Sequence, residues 1–280
     1  MKKVCFYFLV ITLLPFVSAC KTNIPFSQLD AVITLEGPIE ISIDQKNWGT
    51  VLKDSDFDQY LANAYPSFEF IPITTPSGKN PFYIVTEEGI EETDLGYLEI
   101  PIFIRSEEPV IIQWKSASLS SVPMSWISDR DFQSGASEVS IGEETYSTIS
   151  NAIRISITGS INEEEQTITY ERPRGYHHNN VLGNGGNYSQ EEKGASGFLS
   201  YYYALNQKQL YGANQVVVAP SITDVRESHN IILSTIEHSN DMMTELTIRI
   251  WVERWDPDSY PIILNQNFSL SFLFIGKLKN

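Results

Sequence analysis

Apolar and polar residues alternate over long stretches of the chain, which predicts a protein built mainly of β-strands. The clearest stretch lies near the C-terminus, where Ile248, Ile250 and Val252 alternate with Arg249 and Trp251. A period of two places one set of side chains on a core face and the other set on the opposite face. The same alternation recurs at 39–44, 98–105, 152–158 and 268–274. Further apolar, β-branched runs lie at Ala31–Leu35, Phe68–Ile73, Val110–Trp114, Gln215–Ala219 and Ile231–Ile236.

A helical pattern is confined to one segment, Ser55–Ala64, with Asp54 or Ser55 in position to cap it. Pro, Gly, Asn and Asp separate the strand-like runs, as turns require. Many short strands with few helices predict an all-β fold. We expect an antiparallel β-sandwich of jelly-roll or immunoglobulin-like type, with one short helix and long loops. The chain has no repeat of fixed period and no linker that forces a second domain, so residues 30–280 are assigned to one elaborated sandwich domain.

The first residues have the pattern of a secretory signal. Lys2 and Lys3 precede the apolar run Val4–Phe16, which is shorter than the ~20 residues that a transmembrane helix needs. The next four residues, Val17-Ser18-Ala19-Cys20, resemble the lipobox of bacterial lipoproteins. The resemblance implies that residues 1–19 are a signal peptide, that Cys20 is lipidated, and that residues 20–29 are a lipidated tether. An ordinary signal peptide that ends at a cysteine is the alternative.

A lipid on Cys20 implies attachment to the cell membrane on its extracytoplasmic side. Each buried methylene contributes ~0.8 kcal/mol, so two or three acyl chains hold a protein firmly on a membrane. No later segment approaches ~18 uninterrupted apolar residues. The rest of the chain is therefore expected to lie outside the bilayer.

Composition and charge exclude several classes of protein. Hydrophobic residues make up 42% of the chain, which is too many for a disordered protein. The chain has 19 Lys+Arg against 35 Asp+Glu, and removal of Lys2 and Lys3 with the signal leaves 17 − 35 = −18. This charge excludes a nucleic-acid partner, because no excess of cations is available to replace the counterions. The two cysteines, Cys5 and Cys20, exclude a disulfide framework and a thiolate zinc site.

The segment from Glu171 to Phe198 is a long polar, glycine-rich excursion. Loops of this length are usually functional or disordered. We weigh a solvated, variable loop against a ligand-facing one, and a metal site is less favoured because neighbouring histidines on a strand point to opposite faces. The nearby tyrosines 201–203 suit stacking on sugars and suit an ordinary half-buried strand equally well. The candidate binding residues are Tyr176, His177, His178, Asn179, Asn180 and Tyr188.

The chain has no H-E-x-x-H, G-x-S-x-G or P-loop motif, and we predict no catalytic residue, no metal and no cofactor. Asp54, Asp56 and Asp58 have the spacing that opens a calcium loop, but the glycine and the last glutamate of that motif are missing. We interpret them as favourable charges at a helix N-terminus. Three adjacent glutamates at 163–165 are typical of a hydrated hairpin tip. A carbohydrate hydrolase, which needs only two carboxylates, is the enzymatic alternative.

The segment Ile248–Leu264 resembles the C-terminal strand–loop–strand of secreted Gram-positive proteins related to the TasA/camelysin matrix-fibre and pilin-like group. There a Trp-x-Glu-Gly-x-Asp-like run precedes the last core strand. Arg254 stands in place of the glycine and Ser259 in place of a cysteine. The alternative is that Trp251 and Trp255 simply pin a hairpin onto the sandwich. The matching residues are Trp251, Glu253, Asp256 and Asp258.

These observations predict a lipid-anchored cell-surface protein with a structural, adhesive or assembly role and without catalysis. The alternative is a lipid-anchored module that binds a glycan or a peptide through its aromatic and asparagine-rich loops. The expected partners are the membrane, through the lipid on Cys20, and a protein or glycan at the cell surface. Self-association is a further expectation of the assembly role.

Overall fold

The computed structural model describes residues 28–134, 137–173, 197–212, 217–238 and 242–279. Within these ranges 50% of the residues lie in strands and 13% in helices, which confirms the prediction of a mostly β protein. The helices are α1 (Asp54–Ala64), α2 (Ile149–Ala152) and α3 (Phe198–Asn206), and Pro261–Asn265 forms a 3-10 helix.

Eighteen strands lie in the described ranges. The first nine are β1 (Leu29–Glu36), β2 (Glu40–Ser42), β3 (Val51–Leu52), β4 (Ile73–Thr74), β5 (Phe82–Val85), β6 (Ile90–Thr93), β7 (Tyr97–Arg105), β8 (Val110–Ser121) and β9 (Met124–Ile127). The others are β10 (Phe132–Ser134), β11 (Ser137–Val139), β12 (Glu144–Ser147), β13 (Ile153–Ile161), β14 (Glu164–Glu171), β15 (Ser221–Ile222), β16 (Arg226–Ile236), β17 (Met243–Val252) and β18 (Phe268–Leu278).

Two large sheets contain most of these strands. A five-stranded sheet has the order β16-β8-β18-β1-β3, and a six-stranded sheet has the order β15-β14-β13-β17-β7-β2. Both sheets contribute side chains to one hydrophobic cluster. Trp114 of β8 contacts Tyr170 of β14 across the two sheets, with ring centroids 5.8 Å apart. Three small sheets accompany them: β10-β11, β9-β12 and β4-β5-β6.

The predicted alternation along residues 247–252 is confirmed in the six-stranded sheet. Ile250 of β17 is paired with Leu98 of β7 and with Ile155 of β13, and all three side chains are buried. Arg249 lies on the opposite face, where its Nε donates to Glu99 Oε2 at 2.6 Å. Because the side-chain period of a strand is two, the sequence determined which face of β17 is buried.

The prediction of an entirely antiparallel arrangement is wrong at two strand pairs. β1 runs parallel to β18 over eight paired positions, from Leu29 opposite Phe268 to Glu36 opposite Ile275. β14 and β15 are also parallel. Parallel neighbours need a long connection, and nearly the whole described chain lies between β1 and β18. Alternation predicts which face of a strand is buried, but it contains no information on the partner or its direction.

The prediction of a single short helix is also wrong. α1 is confirmed, although Lys53 is its N-cap and Asp56 Oδ2 accepts the Lys53 N–H at 2.8 Å. The tyrosines 201–203 lie in α3, and α2 is a further helix. The sequence did not predict α3 because a short apolar run fits a strand and a buried helix equally well. Gly197 is the N-cap of α3 at φ +64, and a Cβ there would lie 2.5 Å from the Pro257 carbonyl oxygen.

Both open sides between the two large sheets are covered. On one side β16 approaches β13 so closely that a Cβ on Gly159 would lie 2.2 Å from the Leu233 carbonyl oxygen. Gln166 Nε2 of β14 also donates to the Ile232 carbonyl oxygen of β16. On the other side α1 lies beside β1 and buries Phe57 and Leu61 in the common core. Edge strands that are covered in this way are protected from pairing with other chains.

The smaller elements are attached at one end of the molecule, here called the basal end. It holds the starts of β1 and β18 and the end of β8, because Leu29 pairs with Phe268 and Phe268 with Ser121. Ser121 Oγ donates to Ser150 Oγ at 2.9 Å, which places the start of β13 at the same end. β9 directly follows Ser121. The opposite, distal end holds the pairing of Leu278 with Val110.

Candidate functional site

A cleft of about 480 Å³ lies between α1 and the chain from Ile41 to Leu52. This volume is within the ~300–1,000 Å³ of typical small-ligand sites. Ile41 and Leu52, both buried, form its apolar floor. The remaining walls come from two sources, the loop after β2 and the exposed face of α1.

The loop after β2 is held by the carboxylate of Asp44. That group accepts the backbone N–H groups of Asn47 at 2.9 Å and Lys46 at 2.8 Å, and the Asn47 side-chain amide at 2.8 Å. These hydrogen bonds, the Asn47 backbone bond first, hold the pKa of Asp44 well below its usual range. The ends of the loop are joined by Ile41 and Gly49, which exchange backbone hydrogen bonds of 2.7 and 3.1 Å. The loop is therefore preorganised.

Trp48 is fixed at the end of this loop. Its indole Nε1 donates to the Gln45 carbonyl oxygen at 3.2 Å. The guanidinium carbon of Arg105 lies 4.3 Å from the ring centroid, within the range of a cation–π contact. Arg105 is itself held by Glu40, with Nε to Oε2 at 2.7 Å. The half-buried indole of Trp48 is thus a positioned aromatic surface in the cleft wall.

The opposite wall is one face of α1. Asp56, Gln59, Tyr60 and Asn63 line the cleft and follow a spacing of i, i+3, i+4 and i+7, which places them on one side of a helix. Burial raises the pKa of Tyr60 to about 12. The phenol is therefore neutral at physiological pH and keeps its O–H donor.

The chemistry of the cleft suits an uncharged ligand with many hydroxyl groups. Trp48 and Tyr60 supply aromatic surface, and Asn47, Gln59 and Asn63 supply amide donors and acceptors. None of the described lining residues is Lys or Arg, and two are aspartates. An anionic ligand is therefore disfavoured in this cleft.

The residues predicted to bind a ligand lie outside the described ranges. They are Tyr176, His177, His178, Asn179, Asn180 and Tyr188, and Cys20 lies outside as well. The binding role of the first six and the lipidation of Cys20 stay predictions. The neighbouring tyrosines are not in the cleft: Tyr201 packs on Trp126 with ring centroids 5.5 Å apart, and the Tyr202 hydroxyl donates to Glu87 at 3.0 Å.

The cleft was not predicted from the sequence, although the helical pattern gave one of its walls. Asn47-Trp48 follows an alternating strand, and 55–64 has a helical pattern. The available signal was the row of polar residues on the exposed face of α1. Nothing in the pattern indicated that this row faces Trp48, because the indole is positioned by Arg105 from a distant strand.

The conspicuous acidic residues serve the fold. Asp54 Oδ1 accepts the backbone N–H of Ala31 at 3.1 Å, which ties α1 to β1, and Asp56 caps α1. Glu165, near the tip of the β13–β14 hairpin, pairs with Lys79. Within the described part of the chain, no three His, Cys, Asp or Glu side chains are grouped to hold a metal ion.

The C-terminal residues that carried the family resemblance form a buried polar cluster. Arg154 Nη2 lies 2.8 Å from Glu171 Oε2 and 2.8 Å from Asp256 Oδ2, and all three side chains are buried. Trp251 Nε1 donates to Glu253 Oε2 at 3.0 Å. Burial raises the pKa of Glu253 to about 7. The cluster fastens the segment after β17 to β13.

Comparisons with protein-family models, curated proteins and solved structures find no match for this chain. In the ranges that the structure describes, no helix is long and apolar enough to span a bilayer.

Proposed function

We propose that this chain is a lipid-anchored cell-surface protein with an adhesive role, held by the lipid on Cys20 at the extracytoplasmic side of the membrane. The cleft between α1 and the Trp48 loop binds a neutral carbohydrate. The observation that carries the binding role is the preorganised indole of Trp48, set opposite a row of polar groups on α1. No catalytic step is part of the proposal.

We further propose that the two large sheets form a β-sandwich of jelly-roll or immunoglobulin-like type. The common hydrophobic cluster and the contact between Trp114 and Tyr170 support a sandwich. As part of this proposal, the segment Ile248–Leu264 corresponds to the C-terminal strand–loop–strand of the TasA/camelysin and pilin-like group that it resembles.

One way of binding an extended peptide, the addition of a strand to an exposed sheet edge, is restricted at β16. Here β16 is covered by the β13–β14 hairpin in its second half, and its first half carries Arg226 and Glu227, charged residues of the kind that discourage strand addition. The same covering argues against assembly through the second half of β16.

Replacement of Cys20 with Ala is expected to release the protein from the membrane. The lipid is the proposed anchor, and a body of charge −18 is repelled by an anionic leaflet. The measurement is metabolic labelling with a fatty acid, followed by membrane fractionation. Unchanged labelling and membrane recovery in the variant would refute the lipoprotein assignment.

Replacement of Trp48 with Ala is expected to weaken carbohydrate binding at least about tenfold, which corresponds to about 1.4 kcal/mol. The full-length protein is screened on an array of neutral oligosaccharides, and the best ligand is titrated against parent and variant. Tyr211→Ala is the control, because Tyr211 is exposed and lies outside the cleft. Thermal melts establish that both variants are folded.

Equal affinity of the Trp48 variant and the parent would show that the cleft is not the binding site. Binding restricted to anionic glycans would contradict the charge argument, since the described lining residues supply two carboxylates and no cation.

A further inference from the structure

The proposed anchor joins the protein at the basal end. The described chain starts at Gln28, whose Nε2 donates to the Leu264 carbonyl oxygen at 2.9 Å, and β1 begins at the next residue. Seven residues separate Cys20 from Gln28, so eight steps of at most ~3.3–3.6 Å join the two residues. Gln28 therefore lies within about 28 Å of Cys20, whatever path the chain between them takes.

The two-stranded sheet β9-β12 has one buried and one exposed face. On the buried face Trp126 packs on Tyr260 and Phe132, with ring centroids 5.2 and 6.0 Å apart. The opposite face presents Ile127 and Tyr146, which are 60% and 63% exposed. In the pairing, Tyr146 is opposite Ser125 and Ile127 is two residues further along, so their side chains share a face.

Four of the five most exposed large apolar side chains of the described ranges lie between residues 122 and 146, and the fifth is Leu95. Val122, which joins β8 to β9, is 82% exposed, and Ile141, in the turn before β12, is 66% exposed. We call Val122, Ile127, Ile141 and Tyr146 the basal apolar surface. Leu278 of β18 is also exposed, at 52%, but it lies at the distal end of the five-stranded sheet.

We propose that the basal apolar surface contacts the lipid bilayer that holds the protein. Aliphatic side chains and tyrosine are the residues that favour the boundary between head groups and acyl chains. This inference rests on the proposed anchoring through Cys20. Under this proposal the domain lies against the leaflet in one orientation and does not reorient freely relative to the membrane.

The contact depends on the tether because charge does not favour it. Glu144 pairs with Ile127 and lies on the same exposed face, Glu143 precedes it, and the mature chain carries −18. An anionic leaflet does not attract carboxylates. The attraction to the membrane therefore comes from apolar side chains alone and is weak for a domain without a lipid anchor. A lipid joined to Gln28 by so short a segment keeps the effective concentration of this surface at the membrane high.

The orientation leaves the cleft accessible. Trp48 lies under Arg105, the last residue of β7, which pairs with Met243 at the distal end of the six-stranded sheet. With the basal end on the membrane, the Trp48 wall of the cleft is held away from the head groups. A surface carbohydrate can then reach it.

The test uses the full-length acylated protein in vesicles of phosphatidylcholine and phosphatidylglycerol that contain doxyl-labelled lipid. Ile127→Cys and Leu278→Cys each introduce one thiol for a bimane label, because Cys5 leaves with the signal and Cys20 is blocked by the lipid. We expect doxyl lipid to quench bimane at position 127 at least twofold more than at position 278. Tyr146→Cys is a second reporter for the same face in case the label at 127 impairs folding.

Equal quenching at the basal and distal positions of an acylated, folded protein would overturn this inference and leave the proposed anchoring intact. A mass measurement without acyl chains on Cys20 would overturn both. Addition of Cys20→Ala to either labelled variant should abolish quenching, since a negatively charged domain without a lipid is not retained at an anionic membrane.

Discussion

Replacement of Arg154 with Met is expected to lower the free energy of unfolding by about 3–5 kcal/mol, the usual cost of removing one partner from a buried ion pair. Arg154 lies between Glu171 and Asp256, which are 1% and 0% exposed. Methionine fills similar space but removes the guanidinium that lies 2.8 Å from both carboxylates. The segment after β17 then loses its attachment to β13.

Urea unfolding of parent and variant measures this effect. Arg226→Met is the control, because Arg226 forms an exposed pair with Asp224, and exposed pairs contribute little to stability. Equal effects of the two substitutions would contradict the buried cluster.

Replacement of Ile250 with Asp is expected to cost more than about 4 kcal/mol, at the upper end for single substitutions. Ile250 is 0% exposed in the middle of the six-stranded sheet, between Leu98 and Ile155. No cation lies opposite it in either neighbouring strand. The carboxyl is then either buried uncharged or drawn out by local unfolding.

Arg249→Asp is the matched control on the same strand. It replaces a side chain that bonds Glu99 and Thr158 on the other face, and it places a carboxylate near Glu99. The repulsion is screened by water, because the Glu99 side chain is 39% exposed. We expect a loss of less than half that of Ile250→Asp in thermal melts. Equal losses of stability would show that the assignment of Ile250 to the buried face of β17 is wrong.

The sequence predicted the local features of the fold well, because they depend on neighbouring residues. The alternation at 247–252 gave the buried face of β17, and the helical spacing at 55–64 gave α1. The parallel pairing of Leu29 with Phe268 depends on residues from opposite ends of the chain, and no periodicity encodes it. α3 was missed because its apolar run is too short to separate a helix from a strand.

The candidate site was less predictable for the same physical reason. Asp44 shapes the Trp48 loop through bonds to its neighbours, and such an Asx-type turn leaves a signal in the sequence. The position of the indole depends on Arg105, and the charge of the C-terminal cluster is balanced by Arg154. Partners that meet only in the folded protein cannot be matched from residue types alone.

The parallel pairing of β1 with β18 also decides how the protein bears mechanical tension. A pull on an N-terminal tether acts along β1, and its eight paired positions lie one behind the other in the direction of that pull. The hydrogen bonds of a parallel pair run across the strands at even spacing. They are therefore loaded together, in shear, and do not open one at a time. β18 lies inside its sheet, between β1 and β8, so the tension passes directly into the core.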